Sequence, residues 1–332
     1  MEGTFDMYKV VVTDHIFRDL QQEESILRHI DAEVFGYQCK NRDEAIRVTR
    51  DADAIITNNF KSFDRAIIDS LDRCKVIVRY GIGVDTIDIG AATRKGIMVV
   101  NVPEYCIDEV SDHAVAFTLA LSRNIFFSNQ AIKDAFDYRV DFSKPVKSLR
   151  ASTVGIIGLG KIGKRTAKKL SGFTHEIIFY DPFVLNDYSE DNLLIRKSSL
   201  DDLLATSDYI ILNAPLTRDN YHVIDASAFS KMNQRPYIIN VSRGELVDSD
   251  ALATNIEKGS IKGAALDVVE GWPPINQDSP LLKCDKILLT PHSAWYSEEA
   301  LLKLQKTVAE EVLRVLTGQL PHSLVNKEML SR

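Results

Sequence analysis

The sequence predicts an α/β protein built from two doubly wound parallel sheets, and three observations carry that prediction. Residues 8–101 alternate short β-branched runs with helical patterns. A second alternation of the same kind runs from 152 to 289. Its first strand opens directly into Gly158, Gly160 and Gly163, in the spacing G-x-G-x-x-G. Strands alternating with helices imply parallel sheets covered by helices on both faces. The 332 residues leave room for two domains of ordinary size.

In the first alternation the strands are 8–13, 54–57, 76–79 and 97–100. Helical patterns fill 20–30, 43–50 and 64–71, the first with apolar positions at Leu20, Ile26, Leu27 and Ile30. This stretch has no glycine-rich phosphate loop. Residues 107–128 read as one long helix whose apolar residues exceed a single face, which predicts burial on more than one side, within the domain or against another subunit. Residues 134–150 are more polar, carry Pro145 and read as a connection.

The second alternation gives strands at 154–157, 177–180, 209–213, 237–241, 264–267 and 287–289. Helices are predicted at 164–170, at 200–206 with Ser199 as N-cap, and at 250–258 with Gly259 as C-cap. A last amphipathic helix spans 297–317 and stops at Gly318. The glycine spacing alone is a weak signal. Here a strand precedes it, a helix follows, and Asp181 closes the next strand 18 residues beyond Gly163. That context predicts a dinucleotide held by its pyrophosphate at the helix N-terminus, with the Asp181 carboxylate on the adenosine ribose. A carboxylate repels a 2′-phosphate, so the expected cofactor is NAD rather than NADP.

Hydrophobic residues make up 45% and charged residues 26%, the balance of a soluble globular chain. The formal charge of −7 argues against a nucleic-acid partner held by bulk electrostatics. No apolar run approaches the roughly 20 residues needed to span a bilayer. The N-terminus lacks a secretory pattern, and Cys39, Cys74, Cys106 and Cys284 have no C-x-x-C spacing. The expected compartment is the cytoplasm. No histidine has metal-ligand spacing.

In open α/β sheets ligands bind outside the carboxyl ends of the strands. Arg243 and His292, just after the fourth and sixth strands of the second alternation, are therefore the candidate catalytic pair. The expected cofactor-binding residues are Gly158, Gly160, Lys161, Ile162, Gly163 and Asp181, with Ala214, Pro215, Val241, Ser242 and Asp267 at the later strand ends.

Several segments resemble the D-2-hydroxyacid dehydrogenases: NVSRGELVD (240–248), ALDVVEGWPP (265–274), LTPHSAWYSEEA (289–300), RYGIGVDTIDI (79–89) and the long segment 101–124. The resemblance spans nearly the whole chain, with motifs in order. It is nearest to the branch of the C-terminal-binding-protein corepressors, through R-x-G-x-G-x-D and H-x-A-W-Y-S. It implies a flavodoxin-like substrate domain of 1–106 plus 297–332, and a Rossmann NAD-binding domain of 107–296 inserted into it, with the site in the cleft. It also implies a homodimer built partly on the long helix, which makes His113 structural.

The implied activity is hydride transfer between nicotinamide and C2 of a 2-keto or 2-hydroxy acid. By resemblance the substrate carboxylate sits on the N–H groups of Ile82 and Gly83, and Arg79 and Trp295 shape the pocket for its side chain. Arg243 holds the carboxylate and keto oxygen, and His292 exchanges the proton. The family's third catalytic residue, a glutamate, falls on Trp272 here, in a register fixed by Pro273 and Pro274. A neighbouring carboxylate raises a histidine's pKa, so its loss predicts turnover that falls as pH rises through the neutral range.

Three readings of that gap stay open. The enzyme reduces keto acids without the glutamate, or Glu270 supplies the carboxylate, or the substrate is atypical, as in the formate dehydrogenases of this superfamily. A different class is an NAD-binding, corepressor-like regulator with little turnover. Trp272 and Trp295 together suggest an aromatic pocket; the alternative is that Trp272 packs on the prolines. Phosphoglycerate is the less expected substrate, because no added basic cluster or C-terminal regulatory segment is seen.

Overall fold

The β-branched runs of the first alternation become the strands of an all-parallel sheet in the computed structural model of the chain. The structure describes residues 7–58, 63–136, 138–140, 145–190, 193–271 and 277–331. The chain divides into two units, Met1–Cys106 with Ser297–Arg332, and Ile107–Tyr296.

The first unit runs β1 (Tyr8–Val12), α1 (Gln21–Leu27), β2 (Ala32–Gly36), α2 (Arg42–Thr49), β3 (Ala54–Thr57), α3 (Arg65–Asp69), β4 (Val76–Arg79), α4 (Ile89–Lys95) and β5 (Met98–Val100). Its five strands lie in the order β2-β1-β3-β4-β5. Val10, Val11, Ile55, Ile56, Ile77 and Val78 are wholly buried, as strands covered on both faces require. Asn41, Asp64 and Asp88 cap α2, α3 and α4 by accepting backbone N–H bonds, each worth about 1 kcal/mol. The strand order reverses between β1 and β3, the switch point at which such sheets take ligands.

The second unit begins with two helices where the sequence predicted one. α5 (Ile107–Ser122) stops short of Asn124, whose φ of 52° is left-handed, and α6 (Ile125–Ala135) starts afresh. Asparagine is among the few residues other than glycine that visit that conformation as single residues. The chain then runs β6 (Thr153–Ile157), α7 (Lys161–Leu170), β7 (Glu176–Tyr180), β8 (Tyr188–Glu190), β9 (Leu193–Lys197), α8 (Leu200–Thr206), β10 (Tyr209–Leu212) and α9 (Ala226–Ser230). It continues through β11 (Tyr237–Asn240), α10 (Ser249–Glu257), β12 (Gly263–Leu266) and β13 (Ile287–Leu289). The sheet order is β13-β12-β11-β10-β6-β7-β9-β8, parallel except for the β8–β9 pair. Ser199 caps α8 by accepting from the Asp202 N–H, as its sequence position predicts. Finally α11 (Glu298–Leu316), capped by Ser297, returns to the first unit and packs on α1 and β4.

The register of the larger sheet brings distant strand ends level with one another. Tyr180 pairs with Ile157, Ile157 with Leu212, Leu212 with Asn240, Asn240 with Leu266 and Leu266 with Leu289. These six residues form one row across the sheet. The next residue on each strand is Asp181, Gly158, Asn213, Val241, Asp267 or Thr290, so the sequence-predicted residues share one edge.

Candidate active site

At β6 the chain turns on Gly158, whose φ is +92°. A Cβ there would lie 2.7 Å from the Ala214 nitrogen, so the turn packs directly on the segment leaving β10. Gly160 is the N-cap of α7, and a Cβ on it would meet nothing within 4 Å. At Gly163 a Cβ would sit 2.2 Å from the Gly158 carbonyl oxygen, which is how closely α7 packs on the turn. Lys161 and Ile162 form the first residues of α7, where its N–H groups have no partner within the helix. The helix starts three residues earlier than the sequence predicted, because Gly160 itself is the cap.

Asp181 is already oriented. One carboxylate oxygen accepts the Leu159 N–H at 2.8 Å and the other the Phe183 N–H at 2.9 Å. At the end of β10, both polar atoms of the Asn213 amide are buried with no protein partner among the described residues.

The next two strands present Arg243 and Asp267. Buried Asn240 fixes the first turn: its Nδ2 donates to the Arg243 carbonyl at 2.7 Å, and its Oδ1 accepts from the Ser242 N–H at 3.0 Å. A Cβ on Gly244 would lie 2.1 Å from the Val269 carbonyl carbon, so the Arg243 turn rests on the backbone leaving β12. Asp267 is 2% exposed. Its carboxylate accepts from the Thr290 hydroxyl at 2.5 Å, the Ser293 N–H at 2.8 Å and the Ala294 N–H at 2.9 Å. His292 lies between these residues with φ +53°, its N–H donated to the carbonyls of Asp267 and Thr290. The side chain of half-buried His292 is thus presented from a left-handed residue that surrounding bonds hold in place.

His113, read by resemblance as structural, belongs to this network. Its Nε2 is 3.0 Å from the Thr290 hydroxyl and 3.8 Å from the Asp267 carboxylate. The edge-on Phe117 ring packs against it, and burial pushes its pKa down despite the nearby Asp267. Glu270 is occupied elsewhere: its Oε1 accepts from Tyr221 and pairs with His222 Nε2, both at 2.8 Å. Trp272, with Pro273 and Pro274, lies outside the described residues. Trp295 stacks edge-on with Tyr296 at 5.7 Å.

In the first unit Arg79 ends β4, and its guanidinium donates to the Tyr80 carbonyl. It lies over Gly81, where φ is +137° and a Cβ would sit 1.5 Å from Nη1. The loop is tied from behind by Val102 N–H to the Gly81 carbonyl at 2.9 Å and Asn101 Nδ2 to the Ile82 carbonyl at 2.7 Å. Sequence reasoning missed what lies beneath it. The Tyr80 hydroxyl donates to Glu23 at 2.6 Å, Gln305 donates to the other oxygen at 3.2 Å, and Glu23 is 0% exposed. Burial raises the Glu23 pKa above the ordinary carboxylate value. A signal existed, since Glu23 interrupts the apolar stripe of Leu20, Leu27 and Ile30 at helical spacing.

The profile of the D-isomer specific 2-hydroxyacid dehydrogenase NAD-binding domain matches residues 115–294. A glyoxylate reductase of Thermofilum pendens is 35% identical over 299 residues, covering 87% of this chain and 86% of that one. The chain belongs to the D-isomer-specific 2-hydroxyacid dehydrogenase family. A D-3-phosphoglycerate dehydrogenase of Methanocaldococcus jannaschii is 35% identical over 96% of this chain, which spans 60% of that relative's length. Among solved structures, a D-lactate dehydrogenase of Aquifex aeolicus complexed with NAD and lactic acid superposes with a TM-score of 0.82. It is 25% identical, with 97% of each chain covered.

The 2-hydroxyacid dehydrogenase is NAD-dependent, and its residues fit that cofactor. Open space over Gly160 leaves the α7 N-terminus accessible to a pyrophosphate, and Asp181 offers two aligned carboxylate oxygens. The unpartnered Asn213 amide supplies polar atoms a bound dinucleotide can satisfy. Replacing Asp181→Ala should raise the KM for NADH by about 10-fold or more, as two charge-assisted hydrogen bonds are lost. NADPH should lose less, so the ratio of the two kcat/KM values is the quantity to measure. Among the described residues no His, Cys, Asp or Glu cluster could hold a metal ion, and no helix is long and apolar enough to cross a membrane.

Proposed function

We propose that the protein reduces a small 2-keto acid to the D-2-hydroxy acid, with Arg243 and His292 as its catalytic pair. The observation that carries this reading is the sheet register. It sets Arg243 after β11, Asp267 after β12 and His292 after β13, on three adjacent strands at the edge that also bears the glycine turn. Adjacent strands lie about 4.8 Å apart, which suits groups serving one small substrate.

Bound NADH supplies the hydride received at C2. Arg243 presents a fixed, permanently charged fork to the carboxylate and keto oxygen, and stabilises the charge that develops on that oxygen. His292 gives the oxygen a proton, yielding the hydroxy acid, and takes it back in the reverse direction. The first unit, as substrate domain, holds the carboxylate on the N–H groups of Ile82 and Gly83. The ties behind that loop and the seated Arg79 support this assignment. Trp295 bounds the substrate side chain. Glyoxylate and pyruvate are the substrates to try first, because relatives are named for glyoxylate reduction and solved with lactic acid.

Of the readings opened by Trp272, activity without the usual glutamate is favoured. The Glu270 carboxylate is held by Tyr221 and His222, which weighs against its serving His292. A homodimer is also proposed. Ile125, Phe126 and Ile132 of α6, with Phe136, Tyr138 and Val140 beyond it, stay exposed in the single chain, a run of apolar surface that a second copy would cover.

The test is NADH oxidation with glyoxylate, pyruvate and phenylpyruvate from about pH 5 to 9, in the protein and in Glu270→Gln, at the pH range over which a histidine titrates. Turnover should fall as pH rises, with the same profile in both proteins. A profile that moves in Glu270→Gln would restore Glu270 as the partner of His292.

A further inference from the structure

Thr290 has a single hydroxyl hydrogen and two neighbours that want it. Its Oγ1 is 2.5 Å from the Asp267 carboxylate and 3.0 Å from His113 Nε2. An ionised carboxylate carries no hydrogen, so the hydroxyl donates to Asp267. The Thr290 oxygen then accepts, and His113 must donate to it through Nε2–H. Burial pushes the His113 pKa down, and in the neutral ring this geometry assigns the single hydrogen to Nε2. The far end of the relay is the Asp267 carboxylate, which holds the N–H groups of Ser293 and Ala294 immediately after His292.

We infer that His113 is a positioning residue for the reaction, acting through Thr290 and Asp267 to fix the loop from which His292 points. This rests on the assignment of His292 as the proton donor. The relay is anchored outside the loop: α5 packs on β11 and β12, and Phe117, one turn along α5, meets the His113 ring at 4.4 Å between centroids.

Two measurements on the full chain test this together. Nitrogen-15 NMR of the histidine rings, assigned with His113→Phe, should show His113 as the Nε2–H tautomer. Steady-state kinetics should show kcat for glyoxylate lowered by about 10-fold or more in both His113→Phe and Thr290→Val, the cost of a misdirected catalytic group. NADH affinity by fluorescence should stay within about 2-fold, Thr290→Ser should recover most of the loss, and the double variant should be no worse than either single one. An Nδ1–H tautomer, or a folded His113→Phe with kcat unchanged, overturns the relay while leaving His292 in its role. Full turnover in His292→Ala overturns the assignment of His292, and the inference with it.

Discussion

His292→Ala should lose about 10²–10⁴-fold in kcat for 2-keto acid reduction, the range typical of a removed general acid. The binding of NADH should be little changed, because the residues proposed to face its pyrophosphate and ribose lie at other strand ends: Gly158 after β6, Asp181 after β7 and Asn213 after β10. Structure is not expected to fail either. His292 holds its loop through backbone N–H bonds to Asp267 and Thr290, and those survive loss of the side chain. Alanine keeps a Cβ, so the strain of the left-handed φ changes little. A variant that folds, binds NADH and turns over keto acid at the original rate would remove His292 from the mechanism. Stopped-flow fluorescence for binding, beside steady-state turnover, separates these outcomes.

The second large effect is expected at Gly163. A methyl group there meets the Gly158 carbonyl oxygen at 2.2 Å and the Ile156 side chain at 3.6 Å. The 2.2 Å contact is with backbone, which cannot swing aside, so α7 must retreat from the turn. The same helix N-terminus is the expected pyrophosphate site, and a shift of about 1 Å there costs on the order of 100-fold where orientation decides the reaction. Gly163→Ala should therefore weaken NADH binding by at least about 10-fold and lower the melting temperature by several degrees. Gly160→Ala is the matched control. Its Cβ meets no protein atom, so stability should hold while NADH binding weakens. Equal stability in the two variants would contradict the close packing of α7.

Most of the fold was legible because buried parallel strands are continuous apolar runs. The segments 54–57, 76–79 and 287–289 match the observed strands to the residue. What escaped lacked that pattern. β2 is an edge strand, with Glu33 next to its start and no fully buried residue, and the β8–β9 hairpin is a short antiparallel extension at the far edge. The single helix over 107–128 failed because a left-handed asparagine costs little and leaves no mark on hydrophobic periodicity.

For the site, strand ends pointed to Arg243, Asp267 and His292, since the carboxyl edge of such a sheet is where ligands bind. The supports of the Asp267–His292 loop, and those beneath the Arg79 loop of the first unit, were not legible. His113 and Thr290 are 177 residues apart, and Glu23 and Gln305 are 282 apart. Nothing in local spacing joins such pairs; tertiary packing does. Trp272, which sequence set against the family pattern, lies outside the described residues, so its effect passes to solution measurements.

The most direct of these follows a deuterium label. The protein would be incubated with glyoxylate or pyruvate and NADH deuterated at both C4 positions, and the product analysed by mass spectrometry and chiral chromatography. The expected product carries one deuterium on C2 of the hydroxy acid, with D configuration in the lactate from pyruvate. A product without deuterium, or an L-lactate, would contradict hydride transfer to C2 with the D outcome.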